Sequence, residues 1–291
     1  MTQSDNLHRF VLERTNVRGE LAHLDASWRG LLERHDYPGP VRDLLGQAVV
    51  AARLLAATVK VDGSLTLQLQ GEGPVTLLVV QAEAGGAVRG LAHWRGEVPA
   101  ADFARQVGEG RLAITIDPGG ERDRYQGIVP LEGQRSLARA LEDYFARSEQ
   151  LATRLWLAAD GERAAGLLLQ ALPGEAPDPD AWDRAVHLGA TVTDAELLDL
   201  APLEMLRRLF HEEDVRVFDP DPVSFRCRCS RERIAEVLRG LGREEIQGLL
   251  AEEGVVETHC EFCNQRYAFD AVDVEALFTG VEQPEVPRTR H

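Results

Sequence analysis

The sequence predicts an α+β fold: an N-terminal antiparallel or mixed sheet domain with packed helices, then a helical linker, then a small C-terminal module. Three observations carry this reading. The apolar period is helical over residues 41–58 and switches to strict alternation from Ser64. A stretch rich in Pro, Gly and acid, Pro173 to Pro179, marks a domain boundary. All four cysteines fall in the last quarter, in two close pairs, Cys227-Arg228-Cys229 and Cys260-Glu261-Phe262-Cys263. The expected parts are residues 1–175, 176–225 and 226–291.

Taken in order, residues 7–25 read as two strands around a polar turn. Ser27 is the expected N-cap of a short helix containing Trp28, Leu31 and Leu32, which Pro38-Gly39-Pro40 breaks. A longer helix follows from about Val41 to Thr58. Val41, Leu44, Leu45, Ala48, Val49, Ala52 and Leu55 form its apolar face, and Gln47 and Arg53 mark the other. Leu65, Leu67 and Leu69 alternate with Thr66, Gln68 and Gln70, the pattern of a half-buried strand. Val75 to Ala82 is nearly continuous in apolar residues and reads as a strand covered on both faces. Val88 to Trp94 completes a meander. Leu112–Ile116 pairs with Gln126–Leu131, a helix runs from Ser136 to about Arg147, and Thr153–Leu157 and Ala164–Leu169 close as a hairpin. Mixed strands with segregated helices give the α+β class.

Beyond the boundary the chain reads as helical. Thr193-Asp194-Ala195-Glu196 fits a capping box and Pro202 suits a helix start. Leu197, Leu198, Leu200, Leu203, Leu206 and Phe210 supply an apolar stripe. The stripe is too short to fold alone, so it must pack on something. A permanently docked helix and a releasable one both satisfy the pattern. In the last segment, Ser230 caps a helix with Ile234, Val237 and Leu238, and Arg243–Leu250 forms a second helix. Cys260–Cys263 reads as a turn, where Asn264 can take the left-handed conformation such a turn needs, and Tyr267 and Phe269 alternate on a short strand.

The net charge of −16 argues against nucleic acid and anionic membrane as partners, because phosphate neutralisation needs a basic face. Lys60 is the one lysine; the remaining positive charge is arginine. Met1 to Phe10 lacks a basic-then-apolar signal pattern, and the run Ala48–Val59 is broken by Arg53 and too short to span a bilayer. A soluble, cytoplasmic protein is expected.

Four thiolates satisfy a tetrahedral Zn²⁺ with no open position, the pattern of a structural site. Cys227, Cys229, Cys260 and Cys263 are therefore the expected ligands of one Zn²⁺ in a C-terminal zinc-binding module. Two structural disulfides are the competing reading, weakened by the expected reducing compartment. Cys-x-Cys is a tight pair that can also oxidise locally, so a site that holds metal and loses it to oxidation is a candidate switch. His259 adjoins Cys260 and reads as a surface or outer residue. Arg226, Arg228, Arg231 and Arg233 either favour thiolate or are simply solvated; the pattern leaves both open. About 65 residues make a core that needs such a staple.

Other chemistry is scarce. No Gly-x-x-x-x-Gly-Lys loop, nucleotide fingerprint, His-x-x-x-His pair or nucleophile motif occurs, so nothing local points to an enzyme. Several segments nevertheless resemble one family. They are Gln70-Gly71-Glu72-Gly73-Pro74, Tyr125-Gln126-Gly127-Ile128-Val129-Pro130-Leu131, Leu141-Glu142-Asp143-Tyr144-Phe145 with Ser148-Glu149-Gln150, and Ala165-Gly166-Leu167-Leu168-Leu169-Gln170. With the two cysteine pairs and the following Asn264, Tyr267 and Phe269, the chain resembles the 33-kilodalton heat shock protein family, redox-regulated holdase chaperones of bacteria. The resemblance covers nearly the whole length.

That resemblance implies an ATP-independent chaperone. Oxidation by peroxide or hypochlorous acid, with mild unfolding, forms disulfides Cys227–Cys229 and Cys260–Cys263 and expels zinc. The module and a metastable linker then unfold, and apolar surface binds unfolding client proteins, typically as a homodimer. Leu203, Leu206 and Phe210 are the client-binding candidates. Two other classes remain as alternatives: a zinc-ribbon module fused to an α+β binding domain, for example for RNA, and a thiol oxidoreductase. The charge counts against the first, and the missing thioredoxin-like βαβ setting against the second.

Overall fold

The computed structural model describes residues 5–59, 63–100, 102–120, 122–174 and 178–279. Lys60 and the expected boundary at 175/176 lie outside them. The chain divides into two compact units, Met1–Arg226 and Cys227–His291.

The first unit begins with strands β1 (Asn6–Leu12) and β2 (Val17–Leu24), then helices α1 (Ala26–Leu32) and α2 (Gly39–Thr58). Strands β3 (Ser64–Gly71), β4 (Val75–Glu83) and β5 (Ala87–Trp94) form the meander. Helix α3 (Phe103–Val107), β6 (Gly110–Asp117), β7 (Tyr125–Pro130) and α4 (Leu137–Tyr144) follow. A π-helical turn, Phe145–Glu149, leads to β8 (Thr153–Ala159) and β9 (Ala164–Ala171). Helices α5 (Ala181–Gly189), α6 (Asp194–Asp199) and α7 (Pro202–Phe210) come next, then short strands β10 (Val215–Val217), β11 (Asp221–Pro222) and β12 (Ser224–Phe225). One sheet has the order β10-β1-β2-β9-β8, with β11 also on β1; the other has β12-β5-β4-β3-β6-β7. All pairings within this unit are antiparallel among the described residues except β12 on β5.

Helix α2 is the central element. Pro38 caps it and Pro40 sits in its first turn, where no amide partner is needed. It packs on both sheets, which is why nearly every turn of it is buried. Against β9 it comes so close that a Cβ on Gly166 would lie 2.5 Å from Val50 Cγ1; the backbone there must be bare. This two-sided burial overturns one expectation. Arg53 does not mark a solvent face: it is 2% exposed. A helix between two sheets has no solvent face, and the periodic pattern cannot reveal that.

Two further expectations fail locally. Val75 to Ala82 is covered on one face only, with Leu77 and Val79 half-buried, because α2 lies on one side of that sheet. Ser27 is not the N-cap of α1; it lies inside the helix, and its backbone amide and hydroxyl donate to Asp5.

The first sheet is buried on both faces. One face, with Leu24, Ala164 and Leu168, joins the α2 core. The other, with Phe10, Val17, Leu21, Leu167 and Leu169, is covered by α5, α6 and α7. The linker 176–225 was expected to be helical, yet β10, β11 and β12 are strands. Val215–Val217 pairs with Leu12–Phe10, and Asp221–Pro222 with Leu7–Asn6. The exposed edge of β1 completes them; runs this short carry no period of their own.

The second unit contains α8 (Arg231–Leu241), α9 (Arg243–Glu253), the hairpin β13 (Val256–His259) and β14 (Arg266–Phe269), and α10 (Ala271–Phe278). Its core is small: Ala235, Leu238, Ile246, Val256, Phe269, Val274 and Leu277. Val237 on α8 is 63% exposed. Among the described residues no helix is long and apolar enough to cross a membrane.

Candidate metal centre

The second unit brings the two cysteine pairs together by local rules. Cys227 and Cys229 lie in irregular chain before α8, and the Ser230 hydroxyl accepts the Arg233 amide to start that helix. Cys260 follows β13 and Cys263 lies in the turn before β14. Asn264 takes the left-handed conformation expected of it, φ 55°, which lets its amide donate to the Cys260 carbonyl at 2.7 Å. The Cys260 amide donates to the Gln265 carbonyl at 3.0 Å, closing the knuckle.

The four sulfur atoms lie within 4.8 Å of one another. Cys227 and Cys260 are 3.6 Å apart, Cys229 and Cys263 3.3 Å. Zn–S bonds of about 2.3 Å in a tetrahedron require sulfurs roughly 3.8 Å apart. An all-sulfur donor set at this spacing fits a structural metal ion, and the cluster could hold one. Burial pushes the Cys263 thiol above its ordinary range, opposed by the Gln265 backbone hydrogen bond. A bound dication would reverse that preference for the protonated thiol.

Tyr267 is the residue that sequence reasoning undervalued. Its hydroxyl donates to Cys229 Sγ at 3.1 Å, which also raises the phenol's own pKa. Its place on β14 was legible, its partner was not. His259 is exposed and stands outside the sulfur cluster. Of the flanking arginines, Arg231 donates to the Ala268 carbonyl and Asp273 and lies 4.2 Å over the Phe269 ring. Arg233 donates to the Arg228 carbonyl. Both serve the module's packing.

The client-binding candidates lie in the first unit, on α7. The expected capping box at Thr193 and helix start at Pro202 are present. Leu206 and Phe210 are buried, and the Phe210 ring packs 5.8 Å from that of Phe10. Phe10 in turn lies flat over Gly19, where any Cβ would strike the ring. Leu203 departs from expectation: it is 60% exposed. The buried stripe is centred on Met205, Leu206, Leu209 and Phe210, and Leu203 sits on its flank, at about 100° per residue. Met205 and Leu209 follow the same period and could have been read from it.

Polar contacts fasten this layer. His23, buried on β2, is hydrogen-bonded through Nε2 to the Leu197 carbonyl; burial lowers its pKa. Arg163 reaches the Leu198 carbonyl and Asp199, and Arg184 links Asp178 to Glu213. Apart from Asp178, six residues from Arg184, the partners are remote in the chain and gave no sequence signal.

Comparison with known proteins agrees with this geometry. A model of the Hsp33 protein family matches residues 5–270. The chain is 53% identical over 291 residues to the 33 kDa chaperonin of Nitrosococcus oceani, covering all of both chains. It is 49% identical over 282 residues to the 33 kDa chaperonin of Methylobacillus flagellatus, covering 96% of each. The crystal structure of a 33 kDa chaperonin from Thermotoga maritima superposes with a TM-score of 0.81 at 24% identity, over 94% of this chain and 97% of that one. At that identity it speaks for the fold.

Proposed function

This chain belongs to the Hsp33 family, and on that premise we propose that it is a redox-regulated, ATP-independent holdase. The observation that supports this reading best is the sulfur quartet, drawn from two distant pairs into one cluster. Cys227, Cys229, Cys260 and Cys263 would hold one Zn²⁺, which supplies charge neutralisation and a cross-link between the two halves of the module.

Oxidation removes the ligands. Each pair of thiols gives two electrons and two protons to one hydrogen peroxide, forming one disulfide and two waters. In the reading adopted here the pairs are Cys227–Cys229 and Cys260–Cys263. Even the sulfurs 3.3 and 3.6 Å apart stand well beyond a disulfide bond of about 2.05 Å, so the segment must move before any bond closes. Structural zinc contributes roughly 10–16 kcal/mol to folding of small domains. A core of seven buried side chains cannot replace that, so the module would unfold with the loss of its thiolates.

The segment 176–225 acts as the linker in this proposal, continuing directly into Cys227. Its release would uncover the apolar sheet face of Phe10, Leu21, Leu167 and Leu169, together with the stripe of Leu206 and Phe210. Such a surface on an acidic body binds partly unfolded chains while charge keeps the complex dissolved. A dimer of the oxidised form and a cytoplasmic location complete the reading. The test is light scattering from a thermally unfolding client, with reduced zinc-loaded protein and with peroxide-treated protein. Suppression by the oxidised form alone is expected; equal suppression by both, or by neither, would overturn it.

A further inference from the structure

Arg53 stands out against the polar bookkeeping of the first unit. Its side chain is 2% exposed, and its Nε is buried without a hydrogen-bond partner. Among the described residues its guanidinium is engaged only by Asp221 Oδ2, at 3.9 Å, too long for a hydrogen bond. A guanidinium has five donors, and a buried charge left this poorly satisfied is costly. No described residue completes it with a hydrogen bond to Nε.

A cleft of about 410 Å³ opens on this group, lined by Arg9, Arg53, Gly85, Gly86, Asp221 and Pro222. Arg9, half exposed on β1, also reaches Asp221, at 3.3 Å. Burial raises the pKa of the nearby Glu20 to about 8 despite Arg18, Arg53 and Arg9, which weakens it as a counter-charge at neutral pH. Among the described residues that line the cleft, two guanidiniums face one carboxylate. That lining is net positive in a chain whose net charge is −16. Water can fill donors but cannot neutralise charge, and guanidinium forks match phosphoryl oxygens in pairs. The volume exceeds the needs of a single carboxylate and lies in the range of small-molecule sites. Ala56 and Ala57 provide an apolar wall for a short carbon body.

We propose that this cleft is a site for a phosphoryl oxyanion, held by Arg9 and Arg53, with Asp221 as its built-in competitor. Inorganic phosphate and a small phosphomonoester share this chemistry. Asp221 lies in β11, on the segment assigned above as the linker, so an anion that displaces it loosens that segment from β1. The anion site stands independently of the redox reading; its effect on activation rests on that reading.

Isothermal titration of the full-length reduced protein tests it, with inorganic phosphate, with glycerol 3-phosphate, and with chloride at matched ionic strength. Saturable binding of either phosphoryl compound is expected, and the tighter one identifies the source. Arg9→Gln, at a half-exposed position that folding tolerates, should weaken binding about tenfold, the scale of one charge-assisted hydrogen bond. Asp221→Asn should tighten it by a similar factor. Phosphate should also speed amide exchange across residues 215–222. No binding above chloride would mean that water alone serves Arg53, and binding indifferent to Arg9→Gln would place the anion elsewhere; either overturns the site. Weaker binding by Asp221→Asn, or unchanged exchange at 215–222, would overturn the role of Asp221 as competitor.

Discussion

Leu203, Leu206 and Phe210 share one helix, yet only the last two are buried, and their energetics must differ accordingly. Phe210→Ala should cost roughly 3–5 kcal/mol of docking free energy, whereas Leu203→Ala should stay within about 0.5 kcal/mol. Urea unfolding of the reduced protein followed through Trp156 and Trp182, which pack against this layer, measures both. Glu20 offers a second test. Its carboxyl is held protonated in the fold, with a pKa near 8 against an ordinary 4.5. The folded state therefore binds the extra proton, so this group's stabilisation is full below about pH 4.5 and is lost as pH rises toward about 8. Glu20→Gln should flatten the fall of the urea midpoint between about pH 5 and 8; an unchanged slope would show that the carboxyl is ionised throughout. Tyr267→Phe removes the hydrogen bond to Cys229 and should lower zinc affinity about 10–100-fold, the usual scale for such supporting groups, in competition with a chromophoric chelator. Periodicity made Leu206, Phe210 and Phe269 legible as core residues. It missed Arg53 and misplaced Leu203 because period fixes a helix face, while phase and the number of neighbours belong to tertiary packing.

Among the elements, the meander β3–β5, helix α2 and the knuckle at Cys260–Asn264 were legible, because alternation, helical spacing and a left-handed Asn are local properties. The strands β10 and β11 were not, since their order comes from the free edge of β1 and not from their own residues. The same dependence gives them a distinctive energetics. Helices α5 to α7 cover one sheet face and are held at points such as His23, Arg163 and Arg184, β10 and β11 only line the edge of β1, and α2 is enclosed by both sheets. Native-state hydrogen exchange should therefore open residues 181–217 at a lower free energy than α2 in the reduced protein. Equal protection of both would mean that the layer opens only with the whole unit. In the second unit, stripping metal with a strong chelator under reducing conditions should abolish the protection of α8, α9 and α10 together, since its fully buried core is only seven side chains.

At the scale of the whole molecule, sequence alone located the sulfur quartet, because four cysteines in two pairs admit few arrangements. It could not locate the sheet face on which the proposed switch would act, since that face is assembled from β1, β2, β8 and β9, far apart in the chain. The central claim is that release of residues 176–225 is the activating step and that the cysteines act by permitting it. Phe210→Ala tests this most directly, because it weakens docking at a position in the first unit and leaves all four cysteines in place. The measurement is client aggregation by light scattering with the reduced variant, with zinc content and exchange at residues 181–217 determined on the same sample. The account predicts a protein that keeps one zinc, exchanges faster across that segment and holds clients without peroxide. A variant that keeps zinc, exchanges faster and still fails to hold clients until oxidised would contradict it.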